Sequence, residues 1–325
     1  MNAYWLRRLL YAVPIIFGVN LLTFTLFFMV NTPDDIARMH LGHKRVTQQA
    51  IVQWEVAHGY DKPLFWNAAR PGLRAATDTL FWQRSVRMFV FDFGESDDGR
   101  NIGREIRQRA GPSLQIAVPE FLLGLWLNIG LALMMVWFRS GLADRIGVAV
   151  AAMLMSVSGL FYIMAGQFVV ARLWRLAPVS GYVPGPDSWR FVLLPVLVSM
   201  AAGIGSGSRW YRSIFLEEMG KDYVRTARAK GLGDVRILFV HVLRNGLIPI
   251  VTGTVAILPL LFMGSLLTES FFGIPGLGSY VVDAISAQDF SVVRAMVFIG
   301  TVLYIIGLWL TDLAYGLVDP RVRLT

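Results

Sequence analysis

The sequence contains no cysteine, which excludes disulfides and thiolate metal sites without fixing a compartment. It is also poor in charge. Only 16% of its 325 residues are Asp, Glu, Lys or Arg, against roughly a quarter in a soluble domain. No GxxxxGK[S/T] run occurs, so the chain carries no P-loop, and any ATP-driven step needs the ATPase on another polypeptide. No Ser-His-Asp or Cys-His set is legible, which leaves covalent catalysis without support. What is abundant is apolar residues, at 55%, with a mean hydropathy of +0.54. The net charge of +8 is accounted for by basic cytoplasmic loops and does not call for a nucleic-acid partner.

Apolar runs of about 18 residues or more read as membrane-spanning helices, because every backbone amide inside a bilayer must be satisfied within its own segment. Six such spans emerge, near 9–30, 114–138, 146–172, 191–209, 247–269 and 293–318. The fourth is interrupted by glycines. The first follows Arg7 and Arg8, is too long for a signal-peptide core and ends in NTPDD, so it is read as a retained helix. The expected class is an all-α integral membrane protein. Its parts are residues 1–30 (a short N-terminal end and the first span), an external region over 31–112, and a five-helix core over 113–325 with a cytoplasmic loop at 210–246. Short-loop charge sets the orientation. Arg209, Arg212, Lys221, Arg225, Arg228, Lys230, Arg236 and Arg244 follow the fourth span, whereas residues 270–292 contain no Lys or Arg. Both termini then share the cytoplasmic side, in agreement with Arg7, Arg8, Arg321 and Arg323; Arg172, Arg175 and Arg190 count against it. The external region is rich in aromatics (Trp54, Tyr60, Phe65, Trp66, Phe81, Trp82), and VTQQAIVQWEVAHG predicts a helix ended by Gly59.

Several short patterns could carry chemistry. GIGSGSR (203–209) lacks the Lys-Ser/Thr ending of a phosphate loop, and Gly203 and Gly207, four apart, fit close helix packing. His40 and His43 form an HxxH pair with no further ligand at a diagnostic spacing. His58 and His241 stand alone and fit packing or surface roles. Glu120, Glu269 and Asp312 lie in or near spans, where carboxylates are costly and often mark ion pathways. They support an alternative function, a proton-coupled secondary transporter, although no internal repeat of the kind common in such proteins is visible.

The polar run DYVRTARAKGLGDVRILFVHVLRN, residues 222–245, lies between two apolar spans. Asp222 is placed to cap a helix over Tyr223–Lys230 and Gly231 to end it; Asp234 is placed to cap a second helix reaching Arg244. Ala227 and Gly231 give a small-residue face rimmed by Arg225, Arg228 and Lys230. Two readings stay open on these residues alone: a knob that inserts into a partner's cleft, or an interfacial helix lying on anionic headgroups.

These motifs resemble those of the inner-membrane permease subunits of binding-protein-dependent ABC importers, in the dipeptide/oligopeptide/nickel branch. DYVRTARAKGL followed by HVLRNGLIPIVT is similar to that branch's cytoplasmic EAA loop. LLTESFFGIPGLGSYVVDAISAQDF resembles the segment between its last two spans, and DLAYGLVDPRVR its C-terminal signature. MNAYWLRRLLYAVPIIFGV, HGYDKPLFW and FDFGESDDGRNIGREIRQRAGPSLQIA also fit. The resemblance implies a type I ABC importer permease fold in the bacterial inner membrane. It implies a non-catalytic transport subunit that pairs with a second, usually different permease, with two ATPase subunits that bind ATP and Mg²⁺, and with an external solute-binding protein. The coupling helix that docks on the ATPase then maps to Tyr223, Arg225, Thr226, Ala227, Arg228, Ala229, Lys230, Gly231 and Leu232, and the pore lining to spans two, three and five. The chain departs from the general EAA pattern, with Arg225 and Thr226 where Glu and the first Ala would stand. The length of the external region favours peptide-sized cargo.

Overall fold

The computed structural model describes residues 2–42 and 46–318. Its regular structure among them is helical, with one isolated antiparallel bridge between Glu95 and Asn101. In chain order the helices are α1 (Asn2–Val30), α2 (Pro33–Leu41), α3 (Gln48–His58), α4 (Arg74–Thr77), α5 (Leu80–Arg84), α6 (Ile102–Trp137), α7 (Leu142–Met155), α8 (Gly159–Gly166), α9 (Trp189–Met219), α10 (Asp222–Ala229), α11 (Asp234–Arg236), α12 (Leu243–Ile257), α13 (Leu266–Phe272), α14 (Leu277–Ser286) and α15 (Phe290–Val318). Wide π-turns at Gln167–Leu173 and Ile237–Val242 extend α8 and join α11 to α12.

Among the described residues five continuous stretches are long and apolar enough to cross a membrane: Leu10–Val30, Ile102–Trp137, Pro186–Met219, Asp234–Phe272 and Phe290–Gly316. Large side chains such as Met29 and Trp126 project outward, about three-quarters exposed. Hydrocarbon rather than water is the solvent that suits such a surface. The expected third span is not one rod. Leu142–Met155 and Gly159–Leu173 meet at 89°, so six spans are reached only if this bent pair counts as one. The break follows from MSVSG: Ser156 Oγ donates back to the Ala152 carbonyl at 2.8 Å, and Ser158 is extended. Two serines and a β-branched valine before a glycine offer the backbone alternatives to continuing the helix.

The fourth span, by contrast, is unbroken. Its glycines serve packing: a Cβ at Gly205 would lie 2.5 Å from the Ala151 carbonyl oxygen of α7, and one at Gly207 would lie 2.7 Å from Asn128 of α6. Gly203, expected to share that role, has nothing within 4 Å. The α7–α9 contact is locked by Arg212, which grips Asp144 in a fork of 2.8 and 2.9 Å bonds.

The described residues divide into two compact units, one drawn from 2–108 with 281–305, the other from 109–280 with 306–318. In the first, α3 ends on Gly59 in the left-handed conformation (φ 69°), as its sequence predicts. Phe24 of α1 lies at the centre of an aromatic cluster with Phe28, Phe65 and Phe81, at ring separations of 4.5–5.3 Å. Arg294 is buried beside it, its guanidinium 5.0 Å from the Phe24 ring and bonded to the Arg84 carbonyl and to Ser85 Oγ. Arg84 in turn donates to Tyr60, Ser291 and the His58 carbonyl. His40 lies 3.7 Å from Asp97 and against Trp54; His43 is outside the described residues. In the second unit one core gathers Ala132, Leu133, Val136, Tyr211, Phe215, Ile237, Val242 and Ile250.

Candidate functional site

The helix α10 is short and two-faced. Val224 and Ala227, three apart, are buried in the core that contains Phe215 and Ile237; Tyr223 and Leu232 pack at its edge. Asp222, Arg225, Thr226 and Ala229 point away. Residues three and four apart share a face of a helix, so this alternation follows from the sequence DYVRTARA. A buried foot fixes the helix. The Tyr223 hydroxyl donates to Glu218 Oε2 at 2.7 Å, and Lys221 pairs with the other oxygen of the same carboxylate. Burial, reinforced by that carboxylate, pushes the Tyr223 phenol up to about 12, so it remains a donor at neutral pH.

Three sequence expectations for this segment change. Asp222 does not cap the helix: Lys221 takes the cap position, with no side-chain bond. Asp222 sits in the first turn, where its charge suits the helix N-terminus. Gly231 does end the turn, at φ +77°, with its N–H on the Arg228 carbonyl at 2.9 Å. The second helix is not a separate arm of a hairpin, because from Asp234 the chain coils continuously through α11 and the π-turn into α12; no glycine interrupts 234–245. Finally, Ala227 is only 6% exposed and faces the chain's own core rather than the outside. The outward surface is formed by Arg225, Thr226, Arg228, Ala229, Lys230 and Gly231, with Arg228 held 3.4 Å from Asp234.

The second feature is a cavity of about 390 Å³. Its walls include Glu120 and Asn128 of α6, Ser199 and Gly203 of α9, Thr254 of α12 and Glu269 of α13. These residues come from expected spans two, four and five.

Glu269 itself is fully buried and occupied. Ser113 Oγ donates to Oε1 at 2.7 Å and the Ser265 N–H reaches the same oxygen at 3.2 Å. The Ser279 N–H donates to Oε2 at 3.0 Å. Ser113 Oγ also accepts the Leu277 N–H at 2.7 Å. One carboxylate thus ties α6 to the segment 264–279, folding LLTESFFGIPGLGS back on itself. Gly264 and Gly276 are required by this closure: a Cβ would lie 2.0 and 2.2 Å from the carboxylate oxygens, and Gly264 has φ +67°. Glu120 differs: it is half-buried, and no hydrogen-bond donor or cation of the described residues meets it. Asp312 is half-buried on α15 and is not part of the cavity wall. The role of Ser113 has no local signature, since it lies 156 positions from Glu269, whereas Ser265 and Ser279 lie only 4 and 10 positions from it. The spacing of Glu120, Gly124 and Asn128 by fours was there to be read.

The chain is 28% identical to the dipeptide transport system permease protein DppB of Escherichia coli (strain K12), with 99% of both chains covered. It is 29% identical to the glutathione transport system permease protein GsiC of Salmonella typhimurium (strain LT2) and to the di/tripeptide transport system permease protein DppB of Pseudomonas aeruginosa (strain UCBPP-PA14), again over 99% of both. The profile of the family described as "Binding-protein-dependent transport system inner membrane component" matches residues 115–324. That match takes in the cavity, α10 and the segment closed around Glu269, and the chain belongs to this family of multi-pass inner-membrane transport subunits.

Proposed function

We propose that the chain is one of the pore-forming subunits of an ATP-driven importer of short peptides, and that the outer face of α10 is where an ATPase subunit docks. The observation that carries the docking assignment is the division of α10 itself. Val224, Ala227 and Tyr223 fasten it to the chain's own core, while a basic, polar face is left exposed among the described residues. A helix so fastened transmits force as a rigid body, since a push on its outer face is delivered to α9 and α12 through Phe215 and Ile237.

In this reading ATP and Mg²⁺ belong to the partner ATPases, and hydrolysis is theirs alone. A second permease completes the pore, and an external solute-binding protein delivers the cargo. Both termini lie in the cytoplasm and the region 31–112 lies outside, as the charge of the short loops favours. Peptide cargo is supported by the names of the relatives, which transport dipeptides, di/tripeptides or glutathione. The proton-coupled alternative is disfavoured by the family membership and by Glu269, whose oxygens are taken up by internal donors.

The test is co-purification from membranes. Arg225→Glu with Arg228→Glu reverses the charge of the outer face without touching the core. The variant is expected to insert normally and to lose the ATPase. Retention of a full complement of ATPase, with uptake intact, would refute the docking assignment. ATP-independent accumulation of a dipeptide by the purified chain in liposomes would refute the importer reading.

A further inference from the structure

Among the described residues two carboxylates line the 390 Å³ cavity, and none of its lining residues is Lys, Arg or His. The oxygens of Glu269 are satisfied by donors of its own chain. Those of Glu120 are not: no described residue offers them a hydrogen bond or a positive charge. Two turns along the same helix, Asn128 is 7% exposed, and its side-chain nitrogen donates to the Gly124 carbonyl at 2.8 Å while its side-chain oxygen has no partner. Glu120, Gly124 and Asn128 share one face of α6 by their spacing. A Cβ at Gly124 would meet nothing within 4 Å, so the space between the two polar groups is open. An unpaired carboxylate and an unpaired buried carbonyl oxygen are both costly in low dielectric. Both are acceptors, so what would satisfy them is a ligand rich in donors.

We propose that Glu120 and Asn128 form an intramembrane subsite for the primary ammonium end of the transported solute, with Glu120 accepting from the ammonium and Asn128 Oδ1 from a following N–H. The two positions are about 12 Å apart along the helix axis. An extended tripeptide spans about 10 Å, so with the reach of the two side chains the column suits a free-amino di- or tripeptide. This rests on the importer reading above and adds to it the chemical end by which the cargo is held.

The test uses the complete transporter of this chain with its partners. Dicyclohexylcarbodiimide modification of Glu120, followed by mass spectrometry, is measured with no peptide, with Ala-Ala and with N-acetyl-Ala-Ala. With Ala-Ala at about ten times its half-saturation concentration the modification is expected to slow roughly 10-fold, since protection scales as one plus that ratio, and the acetylated form to leave it unchanged. Equal protection by both peptides, or by neither, overturns the subsite. In proteoliposomes Glu120→Gln should lower Ala-Ala uptake by about the same factor through a raised half-saturation concentration, with Glu120→Asp recovering part of it, while melting temperature and ATPase co-purification stay at the wild-type level. Wild-type transporter that accumulates no Ala-Ala with ATP would sink the importer reading itself. Wild-type uptake that Glu120→Gln leaves unchanged would sink only the subsite.

Discussion

Residues 222–232 and 264–279 are both short helix-and-glycine segments joined to longer apolar helices, and each turns on a left-handed glycine: Gly231 at φ +77° and Gly273 at φ +64°. They are held in opposite ways. The first is held from beneath by apolar side chains, Val224 and Ala227, and leaves its polar residues outside. The second is held from within by a polar group, the Glu269 carboxylate, with serines and backbone N–H groups drawn in around it. The difference shows which surface of each is available to a partner. An apolar underside fixes a segment while sparing its charges for another molecule. A buried carboxylate consumes the segment's polar groups and leaves a rigid wall for the cavity.

The contrast predicts where substitutions act. Glu269→Ala should have the largest effect. It strands Ser113 and the N–H groups of Ser265 and Ser279 in a buried site, at about 1–3 kcal/mol for each unsatisfied group. Purified protein should melt well below wild type and recover poorly from membranes; an unchanged melting curve would mean that this carboxylate does not organise the segment. Gly264→Ala comes next, since its Cβ would fall on Glu269 at a positive φ. A loss of about 1–3 kcal/mol is expected for such overpacking, read as lowered thermal stability with ATPase binding retained. In the other segment, Ala227→Leu should also cost about 1–3 kcal/mol, because the added carbons enter a filled core. Its signature is a lowered melting temperature, and ATPase loss without that drop would place Ala227 at the docking surface after all. Smallest is Gly231→Ala, where nothing crowds the Cβ and only the left-handed backbone is strained, by about 1 kcal/mol. Gly231→Asn, better tolerated in that conformation, should restore most of the difference in the same melting assay.

Much of the architecture was legible because it depends on local physics. A bilayer allows only helices in such runs, and the positions of α1, α6, α9, α12 and α15 follow from where apolar residues are continuous. Gly59 and Gly231 end their helices because glycine enters the left-handed region at little cost. The 89° bend at 156–158 was missed because apolar residues continue on both sides of Ser156 and Ser158 and mask the local breaker. The burial of Ala227 was missed for a related reason. Small size suits a residue equally to a partner's cleft and to a crowded interior, and Phe215 and Val224 decide between the two.

The sequence by itself determined that this protein crosses a membrane several times and that a basic helical loop separates two of its spans, since both depend on composition and on neighbours within a turn or two. Only the tertiary structure decided what each carboxylate does. Glu120 and Glu269 look alike in the chain, but a charge in low dielectric is defined by the donors within about 3 Å of it. Ser113 comes to Glu269 from 156 positions away, and no donor among the described residues comes to Glu120.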